Sequence, residues 1–414
     1  EKILVEGKYG EGIPDGENID FQTMIIEKEK LLKQKEEQFL LSVKKINKIL
    51  SELSREKGNS GLFEKNYDKA LFHYFKSIEY SDNIATRIAL MELIRILENK
   101  NNKFVEHEEK VTCLSITEDG KTLASGGMDG IINIWNIPDM KIMKKINTEG
   151  YGINALKFID NRNLAYAGDN KLIKVVDIEK EFIVKTFKGH NGSITAIDYC
   201  PSKKIIASSS FDKSIKIWDF ENQSLINNIT GHGERDNSVK FSNNGKLLVG
   251  GGKENIVFLY DTNNFQVINK FKIFNAGINT LNFDKNDKYI ISGTGSYFGD
   301  NEFLLKLVDI KTGNVINIYD EHSDYVTSAD SLSFGEQFFI SGSNDFTIKL
   351  WGMETSDSLF TFRGHTDYVN QAIVTKDGRY IISCSTDKSV RIWATGINED
   401  ISKIKKNLKL YEIK

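Results

Sequence analysis

The hydrophobic and polar residues of this chain follow two different periods, and the change comes near residue 102. Before it, apolar residues recur three or four positions apart, which indicates helices with one buried face. After it, short runs alternate apolar and polar residues, as in "SITAIDYC" (Ser193–Cys200), and polar turns separate them. Such runs indicate β-strands. The pattern therefore predicts an N-terminal helical segment followed by a long all-β part.

The same patterns divide the chain into four predicted regions. Residues 1–20 contain four glycines and a proline, and we expect an extended arm. Residues 21–101 are predicted to form about three helices, the first of which (21–56) is a candidate for packing against a partner helix. Residues 102–396 carry the strands, and residues 397–414 form a Lys-rich tail. Whether the helices pack on one another or on the β part is left open.

The β part repeats seven times. Each repeat contains an anchor position, and successive anchors are 41, 42, 42, 48, 43 and 42 residues apart. A period of about 40–45 residues is typical of β-propeller blades. The anchor is tryptophan in four repeats and valine or tyrosine in three: Trp135, Val176, Trp218, Tyr260, Val308, Trp351 and Trp393.

Three other polar residues keep a constant distance from the anchor. Five of the six histidines lie 28 or 29 residues before one, an acidic residue follows each histidine by 22 or 23 positions, and a serine lies ten before the anchor in four repeats. Chance would not hold three residue types in phase. The four complete sets are His107, Ser125, Asp129 and Trp135; His190, Ser208, Asp212 and Trp218; His322, Ser341, Asp345 and Trp351; and His365, Ser383, Asp387 and Trp393.

Segments such as "IASSSFDKSIKIWDF" and "ISCSTDKSVRIW" resemble WD40 repeats, and the third repeat, with "GH" before its first strand, matches the whole signature. The resemblance covers about residues 102–396 and implies an all-β, seven-bladed propeller. It also implies that the histidine, serine, aspartate and tryptophan form a hydrogen-bonded chain in each complete blade. A buried indole and a buried imidazole both need such partners.

Three repeats depart from this pattern. The second and fifth repeats lack the histidine, and at the position of the acid they have Asn170 and Glu302. The fourth repeat keeps His232 but has Gly250, Glu254 and Tyr260 at the positions of the serine, the acid and the anchor. We expect these blades to depend more on apolar packing. The fifth repeat also contains about six extra residues, in the loop 295–302, which places Tyr297 and Phe298 in an exposed position suited to a partner.

The seventh repeat ends after its third strand, at Trp393. Residues 103–106 align with the outer strands of other repeats, so we expect them to supply the missing fourth strand. The alternative is that residues 408–413 ("LKLYEI") fill that place.

Composition and motifs argue against chemistry in this chain. Lys and Arg total 55 against 58 for Asp and Glu, a net charge of −3, which argues against a broad nucleic-acid surface. No stretch approaches the length of a membrane span. The spacing of His and Cys does not suit zinc, "DGKTLAS" and "GGGK" lack the context of a phosphate loop, and His73 has no neighbouring nucleophile or acid. We therefore predict no catalytic residue, no cofactor and no metal.

The three cysteines lie far apart, each in a predicted strand, which is typical of buried free thiols in a reducing compartment such as the cytoplasm. The chain begins at Glu1 rather than Met, as a piece of a longer protein would. That start weakens any inference about targeting.

Without chemistry, the predicted role of the chain is to bind proteins. In propellers of the WD40 family, the variable residues beside the histidine and the acid are the usual contact points. The resemblance therefore implies seven candidate partner-binding residues: Met128, Phe211, Arg235, Tyr325, Asn344, Tyr368 and Thr386. With Tyr297 and Phe298 of the fifth-repeat loop, the candidates number nine.

Three hypotheses for the function remain open at this point. The first is a non-catalytic scaffold whose propeller and helices bind different partners in one assembly. The second is the sensor module of a larger bacterial signalling or defence protein, because "YDKALFHYFKSIEYSDNIATRIALMELIRIL" (Tyr67–Leu97) resembles the spacers that precede WD40 arrays in NTPases and caspase-like proteins. The third is a eukaryotic substrate receptor or cytoskeleton-associated propeller.

Overall fold

The structure is a computed structural model that describes residues 77, 85, 88, 89, 102–137, 139–230, 236–295, 302–332 and 338–395. The chain divides into two compact units, Glu1–Thr86 and Arg87–Lys414, and the second contains every described strand. Ser77, Ala85, Ile88 and Ala89 are helical and buried. The rest of the predicted arm and helical segment, including His73, and the predicted tail lie outside the described residues.

The described strands form seven antiparallel sheets of four strands each, and this confirms the predicted seven-bladed propeller. The first blade contains β2 (Val111–Ile116), β3 (Thr122–Gly127), β4 (Ile131–Asn136) and β5 (Lys141–Asn147). The second contains β6 (Ile153–Phe158), β7 (Asn163–Gly168), β8 (Leu172–Asp177) and β9 (Phe182–Lys188). The third contains β10 (Ile194–Cys200), β11 (Ile205–Ser210), β12 (Ile215–Asp219) and β13 (Ser224–Ile229).

The remaining blades follow the same order from the inside of the ring to the outside. The fourth contains β14 (Asp236–Phe241), β15 (Leu247–Gly252), β16 (Ile256–Asp261) and β17 (Val267–Lys272). The fifth contains β18 (Ile278–Phe283), β19 (Tyr289–Thr294), β20 (Leu305–Asp309) and β21 (Val315–Tyr319). The sixth contains β22 (Val326–Ser331), β23 (Phe338–Ser343), β24 (Thr347–Gly352) and β25 (Ser358–Arg363). The seventh contains β26 (Val369–Val374), β27 (Tyr380–Ser385), β28 (Ser389–Ala394) and β1 (Lys103–Val105).

The ring closes through β1, whose residues come from the start of the β part. Phe104 lies opposite Val390 in the antiparallel pairing of β1 with β28. The same phenylalanine contacts the first blade, since its ring centroid lies 6.1 Å from that of Trp135. The predicted closing strand at 103–106 is therefore confirmed, one residue shorter than expected.

The two middle strands of each blade are buried on both faces, and their residues are accordingly apolar or small. Buried side chains of adjacent blades share hydrophobic clusters: Trp218 of the third blade, for example, packs with Phe187 and Ala165 of the second. Cys113, Cys200 and Cys384 are free and buried in these layers. Burial between blades, rather than within one, therefore forms the core.

A β-bulge follows the first residue of every innermost strand, at the same point in all seven blades. The residue that the register skips is a threonine or asparagine in each: Thr112, Asn154, Thr195, Asn237, Asn279, Thr327 and Asn370. A bulge changes the direction of a side chain. In five blades this side chain donates a hydrogen bond to the first carbonyl of the next inner strand, as Asn370 does to Val111 at 2.7 Å.

The outer strands have one unpaired edge each and carry exposed apolar residues. Phe182, Leu225, Ile226, Val267 and Ile268 are between 43 and 53 % exposed. They lie on the outermost strands, at the rim of the ring.

Phe104 provides a test of ring closure. We expect Phe104→Ala to lower the free energy of unfolding by about 1–3 kcal/mol, less than for a fully buried phenylalanine because this ring is only partly covered. Leu225→Ala removes an exposed side chain and is the matched control, with almost no effect expected. Urea denaturation followed by far-UV circular dichroism measures both. Equal losses in the two variants would contradict this account of the closing strand.

Candidate functional site

The third blade shows how the polar side chains of a complete repeat are arranged. The Trp218 Nε1–H group donates to Ser208 Oγ at 2.8 Å, and His190 Nε2 lies 2.7 Å from the same oxygen. His190 Nδ1 lies 2.8 Å from Asp212 Oδ2, which also accepts the backbone N–H of Asn191. These contacts connect the middle of the blade to the loop before β10.

The first, sixth and seventh blades have the same geometry. The distances from the histidine Nε2 to the serine oxygen are 2.9, 2.7 and 2.8 Å for His107, His322 and His365. Their Nδ1 atoms lie 2.9, 2.7 and 2.9 Å from an aspartate oxygen. The tryptophan donates to the serine in each, at 2.9, 2.7 and 2.9 Å. We call these four arrangements the polar chains.

Hydrogen-bonding logic assigns the protons in a polar chain. The carboxylate can only accept, so the histidine carries its proton on Nδ1 and donates it to the aspartate. The remaining lone pair on Nε2 then accepts the serine hydroxyl proton, while the serine oxygen accepts from the indole. Every polar atom in the chain is thus satisfied, which is the condition under which a buried network stabilises a fold.

Burial and hydrogen bonding shift the titration of these groups in a consistent direction. Burial lowers the pKa of His107 and of His365 below the usual value, so both imidazoles are neutral near pH 7. Burial alone would raise the pKa of Asp387, but hydrogen bonds from His365 and Ser389 outweigh it and hold that pKa well below the usual range. Asp345 behaves in the same way beside His322. In the seventh blade, the polar chain therefore carries one net negative charge.

The histidine loops and the acid-bearing turns lie at the same end of the blades, because alternate connections of an antiparallel sheet share an end. We call this end the histidine face; its described loops are 106–110, 148–152, 189–193, 273–277, 320–325 and 364–368, and its described turns are 128–130, 169–171, 211–213, 253–255, 302–304, 344–346 and 386–388. Each loop pairs with the turn of its own blade through the backbone. The Asn344 N–H donates to the Tyr325 carbonyl, and the Thr386 N–H to that of Tyr368, both at 2.9 Å.

Six of the nine candidate partner-binding residues are described, and all six lie on the histidine face. Phe211 and Tyr368 are 46 % and 40 % exposed, while Met128, Tyr325, Asn344 and Thr386 are half-buried. The loop–turn pairing brings Tyr325 and Asn344 together, and likewise Tyr368 and Thr386, whereas Met128 pairs with Lys110 and Phe211 with Ser193. The other three candidates lie outside the described residues: Arg235, Tyr297 and Phe298.

The second blade replaces the polar chain with a different arrangement. Tyr166 stands where complete blades have the serine, since it pairs with Lys174 as Ser208 pairs with Lys216. It is buried, and burial raises its pKa to about 12. Glu149 occupies the histidine position, four residues before the inner strand, and lies 3.1 Å from the ammonium group of Lys174. A tyrosine and an ion pair thus fill the space of the serine and histidine.

The fifth blade keeps the serine without its partners. Phe274 lies in the histidine position and is buried, and Val308 replaces the tryptophan. Ser292 pairs with Lys306 as the other serines pair with their third strand, yet its hydroxyl has no hydrogen-bond partner among the described residues. Glu302 still accepts from Asn275, at 3.3 Å from the backbone nitrogen and 3.1 Å from the side chain. The acid therefore holds the loop without a histidine.

In the fourth blade, the position of the missing serine lies close to a side chain of the third blade. Gly250 lies where the serine would be, and a Cβ there would approach Ile215 Cδ1 of the third blade to 2.3 Å. Tyr260 takes the tryptophan position, and its ring stacks on Phe258 at a centroid distance of 6.2 Å. The greater dependence of the three incomplete blades on apolar packing stays a prediction, and the second blade has an ion pair in this region. His232 lies outside the described residues.

The inner strands contact one another around the centre of the ring, and their fifth residues form a second polar set. We call this set the channel ring: Ser115, Lys157, Asp198, Lys240, Asn282, Asp330 and Ile373. Asp198 Oδ1 lies 2.7 Å from Lys157 Nζ and 3.7 Å from Lys240 Nζ, and its Oδ2 accepts the backbone N–H of Phe241 in the next blade. Burial would raise the pKa of Asp198, but the two ammonium groups outweigh it and lower that pKa.

The channel ring, the bulge residues and Ser292 were not identified from the sequence as site residues. The polar second residue of every inner strand is visible once the repeats are aligned, so the signal for the bulge residues existed. Ser292 was hidden because the insertion in the fifth repeat moves it from ten to sixteen residues before the anchor.

Among the described residues, no group of His, Cys, Asp and Glu could hold a metal ion. The described part of the chain likewise contains no helix that is long and apolar enough to cross a membrane.

Comparison with known proteins matches five segments to the family described as "WD domain, G-beta repeat": 99–136, 182–219, 223–261, 313–352 and 356–394. These segments overlap the first, third, fourth, sixth and seventh blades. The three inner strands of the second blade and of the fifth lie between them, and those are the blades with Glu149 and Phe274 in the histidine position.

Curated relatives match over single stretches of one to three blades. The chain is 32 % identical over 96 residues to the transcriptional corepressor LEUNIG_HOMOLOG of Arabidopsis thaliana, which is 23 % of this chain and 12 % of that protein. It is 36 % identical over 88 residues to the nuclear distribution protein nudF 1 of Talaromyces marneffei (21 % and 19 %). It is 33 % identical over 87 residues to the small ribosomal subunit protein RACK1 of Medicago sativa (21 % and 26 %). The matched stretches thus span about a quarter or less of these relatives.

The two serines, one in a polar chain and one without partners, form a matched pair for mutation. Ser208→Ala leaves the His190 Nε2 atom and the Trp218 N–H unsatisfied in a buried site, and we expect it to lower the free energy of unfolding by about 1–3 kcal/mol. Ser292→Ala removes a hydroxyl that has no described partner, so we expect no loss of stability or a small gain. Urea denaturation of both variants measures the difference, and equal effects would contradict the role assigned to the polar chain.

Asp198 provides a pH-dependent test of the channel ring. We expect Asp198→Asn to lower stability at pH 7 by about 2–3 kcal/mol, below the usual cost of breaking a buried pair because the two lysines are about one-third exposed. The folded-state pKa of Asp198 is lowered, so its contribution is present above the unfolded pKa of about 3.9 and is lost as pH falls through the folded value.

The difference between wild type and Asp198→Asn should therefore be the same at pH 7 and pH 5 and should shrink only below about pH 4. Ser115→Ala, at the same position of the first blade, is the control and should show a pH-independent effect. A difference that shrinks already between pH 7 and pH 5 would contradict the assignment to Asp198.

Proposed function

The chain belongs to the WD40-repeat β-propellers, and we propose that it is a non-catalytic scaffold that binds protein partners on the histidine face. The observation that carries this proposal is the exposure of large aromatic side chains on loops that the polar chains hold in place. Phe211, Phe346 and Tyr368 are 46, 41 and 40 % exposed. Exposed aromatic residues on a rigid framework are characteristic of binding surfaces.

The internal use of the reactive side chains supports a non-catalytic role. The four described histidines bond through both ring nitrogens, and their side chains are fully buried. Burial raises the pKa of Cys113 to about 12 and that of Cys384 well above its usual value, so both are thiols rather than thiolates. A general base or a nucleophile has to be free to reach a substrate. The described residues of the polar chains and the core are committed to the fold.

The relatives support a binding role in a general way. They are a transcriptional corepressor, a nuclear distribution protein and a small ribosomal subunit protein, and these names share no common chemistry. What they share with this chain is the repeat itself. A shared framework with different roles fits a scaffold whose partners are set by surface residues.

The test is affinity purification of the full chain from its native cells, followed by mass spectrometry. The variant Phe211→Ala/Tyr325→Ala/Tyr368→Ala removes three aromatic side chains from the histidine face. The matched control Leu225→Ala/Val267→Ala/Ile316→Ala removes three exposed side chains from outer strands. Thermal denaturation first establishes that both variants are folded.

We expect the face variant to lose a stoichiometric partner that the control retains. Each interface hot spot contributes 2 kcal/mol or more, so the affinity should fall by at least about 30-fold. If every partner of the wild type binds the face variant equally well, or is lost only from the outer-strand control, the histidine face is not the binding surface.

A further inference from the structure

We propose that the histidine face of blades five to seven binds a basic, Lys- or Arg-containing segment of a partner protein. This inference rests on the proposed function and specifies the chemistry of the partner. The surface is formed by four aromatic residues that we call the aromatic arc: Phe303, Tyr325, Phe346 and Tyr368.

The aromatic arc consists of two ring pairs, each of which crosses a blade boundary. Phe303 of the fifth blade and Tyr325 of the sixth are in edge-to-face contact, with centroids 5.4 Å apart. Phe346 of the sixth blade and Tyr368 of the seventh are 5.9 Å apart. The two pairs are joined within the sixth blade, because the Tyr325 carbonyl accepts the backbone N–H of Asn344, two residues before Phe346.

These positions are not aromatic in the other described blades. Phe346 follows the acid of its turn, where the first, third and seventh blades have Gly130, Lys213 and Lys388. Tyr325 and Tyr368 precede the inner strand, where the first and third blades have Lys110 and Ser193. Aromatic residues at these two positions are therefore not a requirement of the blade, although the face also exposes Tyr151 and Phe211 at other positions.

Phe346 has an unfavourable backbone conformation for its side chain. Its φ is +69°, a region in which bulky residues are outliers. The fourth blade has Asn255 at the equivalent position, with φ +64°, and asparagine adopts this conformation readily. Phe346 is also 41 % exposed, so the burial of its ring recovers only part of this cost. The fold alone gives no reason for a phenylalanine here.

Each aromatic residue of the arc directly follows an acidic residue. The four acids are Glu302, Asp324, Asp345 and Asp367. Their oxygens accept hydrogen bonds from backbone N–H groups, as Asp367 does from Tyr368. Aromatic rings and carboxylates therefore alternate along the whole arc.

This alternation selects the class of partner. A guanidinium or ammonium group is attracted to the face of an aromatic ring and pairs with a neighbouring carboxylate, and guanidinium can do both at once. Acidic peptides and nucleic acid would be repelled by the same carboxylates. Charge complementarity therefore favours a basic segment.

Fluorescence anisotropy with labelled octaarginine tests the proposal, and labelled octaglutamate serves as the control peptide. The principal variant is Phe346→Asn/Tyr368→Ser, which introduces no charge and uses side chains related to those at the equivalent positions in blades four and three. Asp367→Asn removes one charge but keeps an oxygen that can accept from Tyr368 N–H. Phe182→Ala, with a 49 % exposed ring on an outer strand, is the control variant.

We expect octaarginine to bind and octaglutamate not to bind at 50 mM NaCl. The Phe346→Asn/Tyr368→Ser variant should bind octaarginine at least tenfold more weakly, and Phe182→Ala should bind it as the wild type does. Asp367→Asn should weaken binding several-fold, with a smaller effect at 300 mM NaCl because salt screens exposed charges. Thermal denaturation should show Phe346→Asn to be at least as stable as the wild type, so that lost binding does not reflect lost folding.

Unchanged octaarginine binding in the Phe346→Asn/Tyr368→Ser variant would overturn the proposal, as would tighter binding of octaglutamate. The proposed function can survive that result. One result would separate the two proposals: a partner that no longer binds the Phe211→Ala/Tyr325→Ala/Tyr368→Ala variant but still binds Phe346→Asn, and still binds the wild type at 300 mM NaCl. It would show that the histidine face binds proteins without a preference for basic segments.

Discussion

The hydrogen-bonded polar chain is the interaction on which the binding surface depends. Trp218, Ser208, His190 and Asp212 connect the buried centre of a blade to the loop at its end. Because each polar atom has its hydrogen-bond partner only in this arrangement, the polar chain holds the loop in a fixed position relative to the core of the blade. Four complete chains thus fix four of the loops that form the histidine face.

A second constraint acts between blades, since seven sheets with free edges need contacts that hold them in a ring. In five blades the bulge at the start of the inner strand supplies a Thr or Asn side chain that bonds the next blade. Further bonds follow the same direction: Ser238 accepts the Leu281 N–H of the next blade at 3.1 Å, and Gln371 accepts the N–H of Leu114 at 2.7 Å. The last of these crosses the junction that β1 closes, so polar contacts and strand pairing reinforce each other there.

The sequence was sufficient to predict the seven blades and the closing strand because those features repeat at a constant spacing. It was insufficient wherever a residue acts on a neighbouring blade. Asn370 bonds a carbonyl 259 residues earlier in the chain, and Gly250 lies against Ile215 of the previous blade. Phe346 was missed for a different reason. The residue before each acid was predicted to be a contact point, whereas Phe346, which pairs with Tyr368, is the residue after its acid.

The fold and the proposed binding chemistry are linked through the charge of the polar chain. A protonated histidine would neutralise the charge of the aspartate. Burial lowers the pKa of His365 instead, so the imidazole is neutral and the Asp387 carboxylate keeps its negative charge. The network that stabilises the seventh blade therefore also places a carboxylate at the end of the blade that carries Tyr368. Asp345 does the same in the sixth blade, where its lowered pKa keeps the carboxylate ionised directly before Phe346. Asp324 and Asp367, outside the polar chains, directly precede Tyr325 and Tyr368, so acids that build the blades and acids that do not both flank the aromatic arc.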